Sequence, residues 1–302
     1  MIGFSLRPRW FIWRAIAMGL ALFPGMASAF LVNQWEPIDT SRQRAQPAEV
    51  VQPGQHWLEP LTGIEMVWIE GRCFKYGSAP RIDGRDADEG PVRDICLSGY
   101  WIARTEMTQG QWRHVMRNNP SQNRKGDEYP VEQIAWDDVE MYLGRLNSFY
   151  KGKVKFRLPT EAEWEFACRN RGQRVRYATG SSAGQGAWYR DNSGNRPQKV
   201  ATRRSNRIGL FDMSGNVWEW TQDAYDGQAY AKAKSQDPLH EGEQPYRVIR
   251  GGSFSSKTKQ LRCSNRGFEH FSTQSPMIGL RLAAEIDIPV KKKPINLRDA
   301  LL

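Results

Sequence analysis

The chain has 302 residues, with 43 lysines and arginines against 33 aspartates and glutamates, a formal net charge of +10. That length allows one large domain or two small ones, and the basicity points to acidic partners or anionic surfaces. No zinc-finger or RNA-binding signature accompanies the charge, which argues against nucleic acid as a partner.

Residues 1–29 read as a cleavable signal peptide: Arg7, Arg9 and Arg14 form a positive start and Ala15 to Phe23 is mostly apolar. Ala27-Ser28-Ala29 then supplies small residues at the cleavage positions. The apolar run is short for a bilayer span, so the expected location is the periplasm. Membrane association is expected at most through a partner or an uncleaved signal. Removing the three arginines leaves a net charge of +7. Residues 30–60 are polar and aperiodic and read as a flexible tether. Residues 61–286 show no internal repeat and read as one domain. Residues 287–302, with Lys291 to Lys293 and two prolines, read as a basic tail.

Inside the domain the first strand is expected at Met66 to Ile69 and the next at Tyr100 to Arg104. Thr108 is placed as an N-cap, followed by Trp112, Val115 and Met116 on one helical face. A longer helix is expected from Trp136, turning Val139, Leu143, Leu146 and Phe149 or Tyr150 inward. A third opens at Thr160, where Thr160 and Glu163 can form a capping box, and Pro159 ends what precedes it. Further strands are expected at Arg247 to Ile249 and Leu280 to Ala283. Much of the rest is Gly, Asn, Ser and Asp, hence loop. Such a domain needs other anchors: large buried tryptophans, disulfides, or bound ions. The four cysteines, Cys73, Cys96, Cys168 and Cys263, allow three pairings and form no Cys-x-x-Cys. The four histidines show no ligand spacing.

Gly209 to Asp223 reads GLFDMSGNVWEWTQD. Asp212 and Glu219 offer hard carboxylate oxygens, and the glycines permit turns that could aim the carbonyls of Gly215 and Val217 at one ion. Calcium takes such oxygen sets; a tight turn with solvated acids is the simpler alternative.

Six segments in order then carry a resemblance. They are RTEMTQGQW from Arg104, Pro130-Val131-Glu132, FRLPTEAEWEFAC from Phe156, Gly209 to Trp220, RGGSF from Arg250, and Gly279-Leu280-Arg281. Together they resemble the formylglycine-generating enzyme, or sulfatase-modifying factor, family over about residues 62 to 285. The resemblance implies a single α+β domain of C-type lectin-like fold, poor in regular structure and stabilised by disulfides and calcium. It implies one calcium on Asp212, Gly215, Val217 and Glu219, because the loop for a second site after Asn192 is largely missing. It also implies a Cys168–Cys263 disulfide. Cys73 and Cys96 have no counterpart in the oxidases and are expected to bridge the entry strands, worth about 3 kcal/mol on the chain-entropy model.

The family's oxidases hold Cu(I) on two thiolates beyond the Gly-Gly-Ser turn, as suits a soft metal. In this sequence Ser255, Ser256 and the residues up to Leu261 include no cysteine. Trp218 and Ser253 match the oxidase groove, while Met277 stands where the family has asparagine. No copper and no catalytic residue are therefore expected, in a former groove of Trp218, Ser253, Ser255, Ser256 and Met277. The leading expectation is a non-catalytic protein that binds a periplasmic or membrane-anchored protein. Its family resemblance includes a periplasmic regulator of a membrane kinase in the type VI secretion threonine-phosphorylation pathway. The alternative is a different enzyme on the same scaffold, such as one of siderophore (pyoverdine) maturation, with Ser253, Arg266, Glu269 and His270 as its reactive groups. A carbohydrate receptor, by fold analogy with lectins, ranks third.

Overall fold

A computed structural model of the chain describes residues 55–286. The signal peptide and the basic tail read from the sequence lie outside the described residues. Part of the stretch read as a tether does not behave as one: His56–Leu58 form strand β1, Trp57 packs on the core and Glu59 is fully buried.

β1 is the edge of a five-stranded antiparallel sheet in the order β1-β2-β5-β11-β6, where β2 is Glu65–Ile69, β5 Tyr100–Ala103, β11 Ala283–Ile286 and β6 Val154–Arg157. Between β2 and β5 the chain makes a separate hairpin, β3 (Cys73–Tyr76) with β4 (Arg93–Cys96). Cys73 and Cys96 face each other in its register and are bonded. A second sheet runs β10-β7-β8-β9, from β7 (Trp218–Ala224), β8 (Tyr246–Arg250), β9 (Gly267–His270) and β10 (Ile278–Leu280), with β10 and β7 parallel. The expected strand Leu280 to Ala283 is thus two strands. The chain leaves one sheet at Leu280 and enters the other at Ala283, and Arg281 in the gap is buried with a carboxylate partner.

Helix α1 (Gln109–Met116) starts where Thr108 accepts from the Gln111 amide, and it buries Trp112 and Val115. Helix α2 (Trp136–Tyr150) buries Val139, Tyr142 and Leu146 at helical spacing. Of the expected inward residues, Leu143 packs on the core partly buried, and of the pair Phe149 or Tyr150 it is Tyr150 that does so while Phe149 is 57% exposed. The sequence reading missed Tyr142, which is buried and stacks on Trp112. Helix α3 (Glu161–Cys168) carries the capping box expected of Thr160 and Glu163, and all eight of its residues are buried. A short helix, α4 (Ala229–Lys232), completes the set. Trp112, Trp164 and Trp220 are among the largest fully buried side chains, each removing a large apolar area from water. Among the described residues no helix is long and apolar enough to cross a membrane.

Candidate functional site

Two neighbouring regions carry the sequence-predicted site residues, and α3 organises both. Its three glutamates alternate along eight residues, a pattern that reads as a solvated face, yet all are buried. Each has an arginine. Arg157 grips both oxygens of Glu163 at 2.6 and 2.7 Å, and Arg266 grips both of Glu161 at 2.7 and 2.9 Å. Arg250 donates to Glu165 at 2.7 Å. Arg250 also donates to the carbonyls of Cys263, Ser264 and Asn265 at 2.7, 3.2 and 2.6 Å. The arginine of RGGSF thus ties the loop 263–265 to α3, and the Cys168–Cys263 disulfide fastens the same loop covalently.

The first region is the loop before β7. Gly215 adopts φ +99, and a Cβ there would lie 2.2 Å from the Trp188 carbonyl oxygen, so only glycine fits. Asp212 is also in the left-handed region, at φ +58, which turns its carboxylate inward. Its Oδ2 accepts from the Ala201 amide at 2.8 Å, whereas Oδ1 is buried without a hydrogen-bond partner. Glu219 Oε2 accepts from the Trp164 indole at 2.6 Å, and Arg281 donates to Oε1 at 2.8 Å. Sequence reasoning missed a third acid, Glu106 of the Arg-Thr-Glu segment. Its carboxylate accepts from the Val217 amide at 2.9 Å and the Asn216 side chain at 2.6 Å. The signal available in the sequence was its place in the Arg104-Thr105-Glu106 segment of the family resemblance.

Three buried carboxylates therefore interact across one guanidinium. Burial, reinforced by the charges of Asp212 and Glu219, pushes the Glu106 carboxyl well above its usual range. Burial raises that of Asp212 to about 6, against the pull of the Ala201 amide and Arg281. An excess of negative charge with one orphaned hard oxygen fits a bound cation. Among the described residues no cluster of three or more His, Cys, Asp or Glu side chains is arranged to hold a metal. A cation here would rest on two carboxylates and on carbonyls. Asn192 instead caps its own turn, accepting from the Tyr189 amide and donating to the Ala187 carbonyl.

The second region is the segment beyond Gly251-Gly252. Ser253 and Ser256 are buried and bond each other: the Ser253 amide donates to Ser256 Oγ at 2.9 Å, and the hydroxyls lie 3.3 Å apart. The Ser255 amide donates to Ser253 Oγ. The turn satisfies itself and passes into a 3-10 helix at Thr258–Leu261. Beside it lies a cleft of about 420 Å3 whose walls include Trp218, Lys257, Lys259, Gln260 and Arg266. Of the five expected groove residues, Trp218 stands in this wall. Met277 is 38% exposed and meets Trp218 through its backbone carbonyl.

None of the four reactive candidates is poised for proton transfer. Ser253 is held in its turn, and Arg266 is neutralised by Glu161. Glu269 and His270 are consecutive in β9, so they point to opposite sides of the sheet. His270 Nδ1 bonds the Ser272 hydroxyl at 2.7 Å. All four cysteines of the chain are in disulfides, Cys73–Cys96 and Cys168–Cys263, which leaves no thiol. Such bonds belong to an oxidising compartment.

Arg262, next to Cys263, grips both oxygens of buried Glu89 at 2.6 and 2.8 Å. Burial raises the Glu89 carboxyl, but Arg262, the Asp86 amide and Ser78 outweigh it and lower it to about 2. A depressed carboxyl stabilises above its unfolded value near 4.5, and that contribution is lost as pH falls through about 2. Arg262→Met is expected to cost about 3 kcal/mol at pH 7. Urea denaturation should show the gap to the parent protein narrowing as pH falls from 4.5 through about 2, the range over which Glu89 takes up its proton in the parent protein. A gap independent of pH would contradict this.

A family model described as the sulfatase-modifying factor enzyme 1-like domain matches residues 52–286. Chaperone protein LppX of Paenibacillus barcinonensis is 26% identical over 268 residues, covering 72% of this chain and 88% of that protein. Serine/threonine-protein kinase Pkn1 of Chlamydia trachomatis is 31% identical over 250 residues, covering 76% of this chain but 39% of the kinase. The chain thus spans about two fifths of that kinase's length. Among solved structures, PvdO from Pseudomonas aeruginosa superimposes with a TM-score of 0.70 at 25% identity, covering 78% of this chain and all of PvdO.

Proposed function

The chain belongs to the sulfatase-modifying factor family, and from that premise we propose that it is a non-catalytic periplasmic member that binds a partner protein. The observation that carries this is the fate of the cysteines. The two disulfides use every one, and Cu(I) chemistry of the oxidase kind needs thiolates, for which serine, a hard and protonated donor, is no substitute. The turn that replaces the cysteine segment is closed by its own hydrogen bonds. What it leaves is a shaped surface with exposed Lys257 and Lys259 beside Trp218. A matching region within a serine/threonine kinase supports a kinase as the class of partner. The specific reading is regulation of a membrane kinase of the type VI secretion threonine-phosphorylation pathway, through its periplasmic sensor domain.

A second reading rests on the match to the whole of PvdO: a periplasmic enzyme on this scaffold, as in siderophore maturation. Affinity capture from solubilised membranes with the mature protein separates the two. Stoichiometric recovery of a kinase, reduced by Lys257→Glu, is the expected result. No recovery, together with turnover of a siderophore precursor, would replace the first reading with the second.

We also propose one structural calcium, held by the carboxylates of Asp212 and Glu219 and the carbonyls of Gly215 and Val217. Its role is charge neutralisation: it would sit with the orphaned Asp212 oxygen and the carboxylate excess around Arg281. At 100 times its dissociation constant, such an ion stabilises by about 2.7 kcal/mol, roughly 5–10 °C in a domain of this size. EGTA should lower the melting temperature of the parent protein by that amount and leave Asp212→Ala unchanged. A parent protein indifferent to EGTA would reject the site.

A further inference from the structure

A second cavity, of about 720 Å3, is unrelated to the cleft beside Trp218, with which it shares no lining residue. The segment 75–92, the loop 169–176 and the neighbours of Cys263 form its walls. One side is apolar, made of Pro80, Ile82, Val92 and Val175. Ile82 and Val92 are 44% and 37% exposed there, in a domain that buries most of its large apolar side chains. The other side is cationic, and no aspartate or glutamate lines the cavity.

The cations differ in how far they are committed. Arg169 is spent on the carbonyls of Lys75 and Gly77 and on Glu165, and Arg262 on Glu89. The ion pairs of Lys75 and Arg176 are with Asp94 and Asp83, whose side chains are 72% and 91% exposed, and Arg176 also donates Nε–H to the Tyr177 hydroxyl at 3.2 Å, which leaves its charge unneutralised. Such surface pairs contribute little and exchange readily. Arg174 is exposed and forms no ion pair or hydrogen bond among the described residues. Three positive groups are therefore available at the edge of an apolar pocket of small-ligand size.

We propose that this cavity binds a small amphiphilic anion: a carboxylate, sulfonate or phosphate carried on an apolar body. The apolar wall would gain by covering Ile82 and Val92. Arg174 and Arg176 would hold the headgroup through charge-assisted hydrogen bonds. A neutral amphiphile would leave the cations unanswered, and a purely polar anion would leave the apolar wall wet.

The test uses 1-anilinonaphthalene-8-sulfonate as probe, titrated by fluorescence into the mature protein. The expected result is one saturable site, weakened at least tenfold by Arg174→Glu with Arg176→Glu. Ile82→Ser, at an exposed position, should weaken it severalfold, while Lys257→Glu in the other cleft leaves it unchanged. Below their micellar concentrations, dodecanoate and dodecyl phosphate should displace the probe and dodecyl maltoside should not. Their relative potency distinguishes carboxylate from phosphate headgroups. Probe affinity unchanged in the arginine variant, or displacement by the maltoside as effective as by the anions, would overturn the proposal. Displacement by a glutamate-rich peptide at lower concentration than by dodecanoate would overturn it in favour of a protein-docking surface.

Discussion

Arg250→Met is expected to cost more than about 5 kcal/mol and to prevent the mature protein from folding. Breaking a buried ion pair by removing one partner costs about 3–5 kcal/mol, because the remaining charge is left unpaired. Here the loss also strips donors from three backbone carbonyls, at about 1–3 kcal/mol for each buried group left unsatisfied. Arg250 is fully buried and spans Glu165 and the carbonyls of Cys263, Ser264 and Asn265. Glu165 has other donors in the Tyr230 hydroxyl and the Gly77 amide, so the loop carbonyls suffer most. Soluble yield and circular dichroism check this. A folded variant within about 2 kcal/mol of the parent protein would show that the arginine is not what holds the loop.

Cys168→Ser with Cys263→Ala is expected to destabilise by about 4.5 kcal/mol, the chain-entropy value for a loop near 100 residues. The two cysteines are 95 residues apart and join α3 to the segment that Arg250 also holds. Both sulfurs are fully buried, so the vacated volume adds to the loss rather than offsetting it. Denaturant titration of the double variant measures the effect. The shorter Cys73–Cys96 loop should matter less, at about 3 kcal/mol. A larger loss at the shorter bridge would contradict the loop-length argument.

What the sequence revealed was local. Thr160 and Glu163 cap α3 as their spacing requires, and Thr108 caps α1. The long-range Cys168–Cys263 bond was foreseen only through the family resemblance, since the spacing left three pairings open. What it hid was distant pairing. Glu161, Glu163 and Glu165 look solvated because the arginines that bury two of them lie 85 and 105 residues further on. Glu106 went unnoticed because it meets Asn216 and Val217 only in the folded chain. Arg281 explains the broken strand for the same reason: its partner Glu219 lies in β7, 62 residues earlier. Gly279 shows how two motifs far apart became one feature. A Cβ there would lie 2.5 Å from the Val131 carbonyl oxygen, so Gly-Leu-Arg and Pro-Val-Glu pack as a unit.

The most direct test of the loss of copper-thiolate oxidase chemistry is to incubate the mature protein with copper, oxygen and a Cys-x-Pro-x-Arg peptide and look for formylglycine by mass spectrometry. With Cys168 and Cys263 bonded to each other and Ser255 and Ser256 in the turn, the expected result is unmodified peptide. Formylglycine above the level of a protein-free control would contradict it, by showing that this scaffold oxidises cysteine without thiolates of its own.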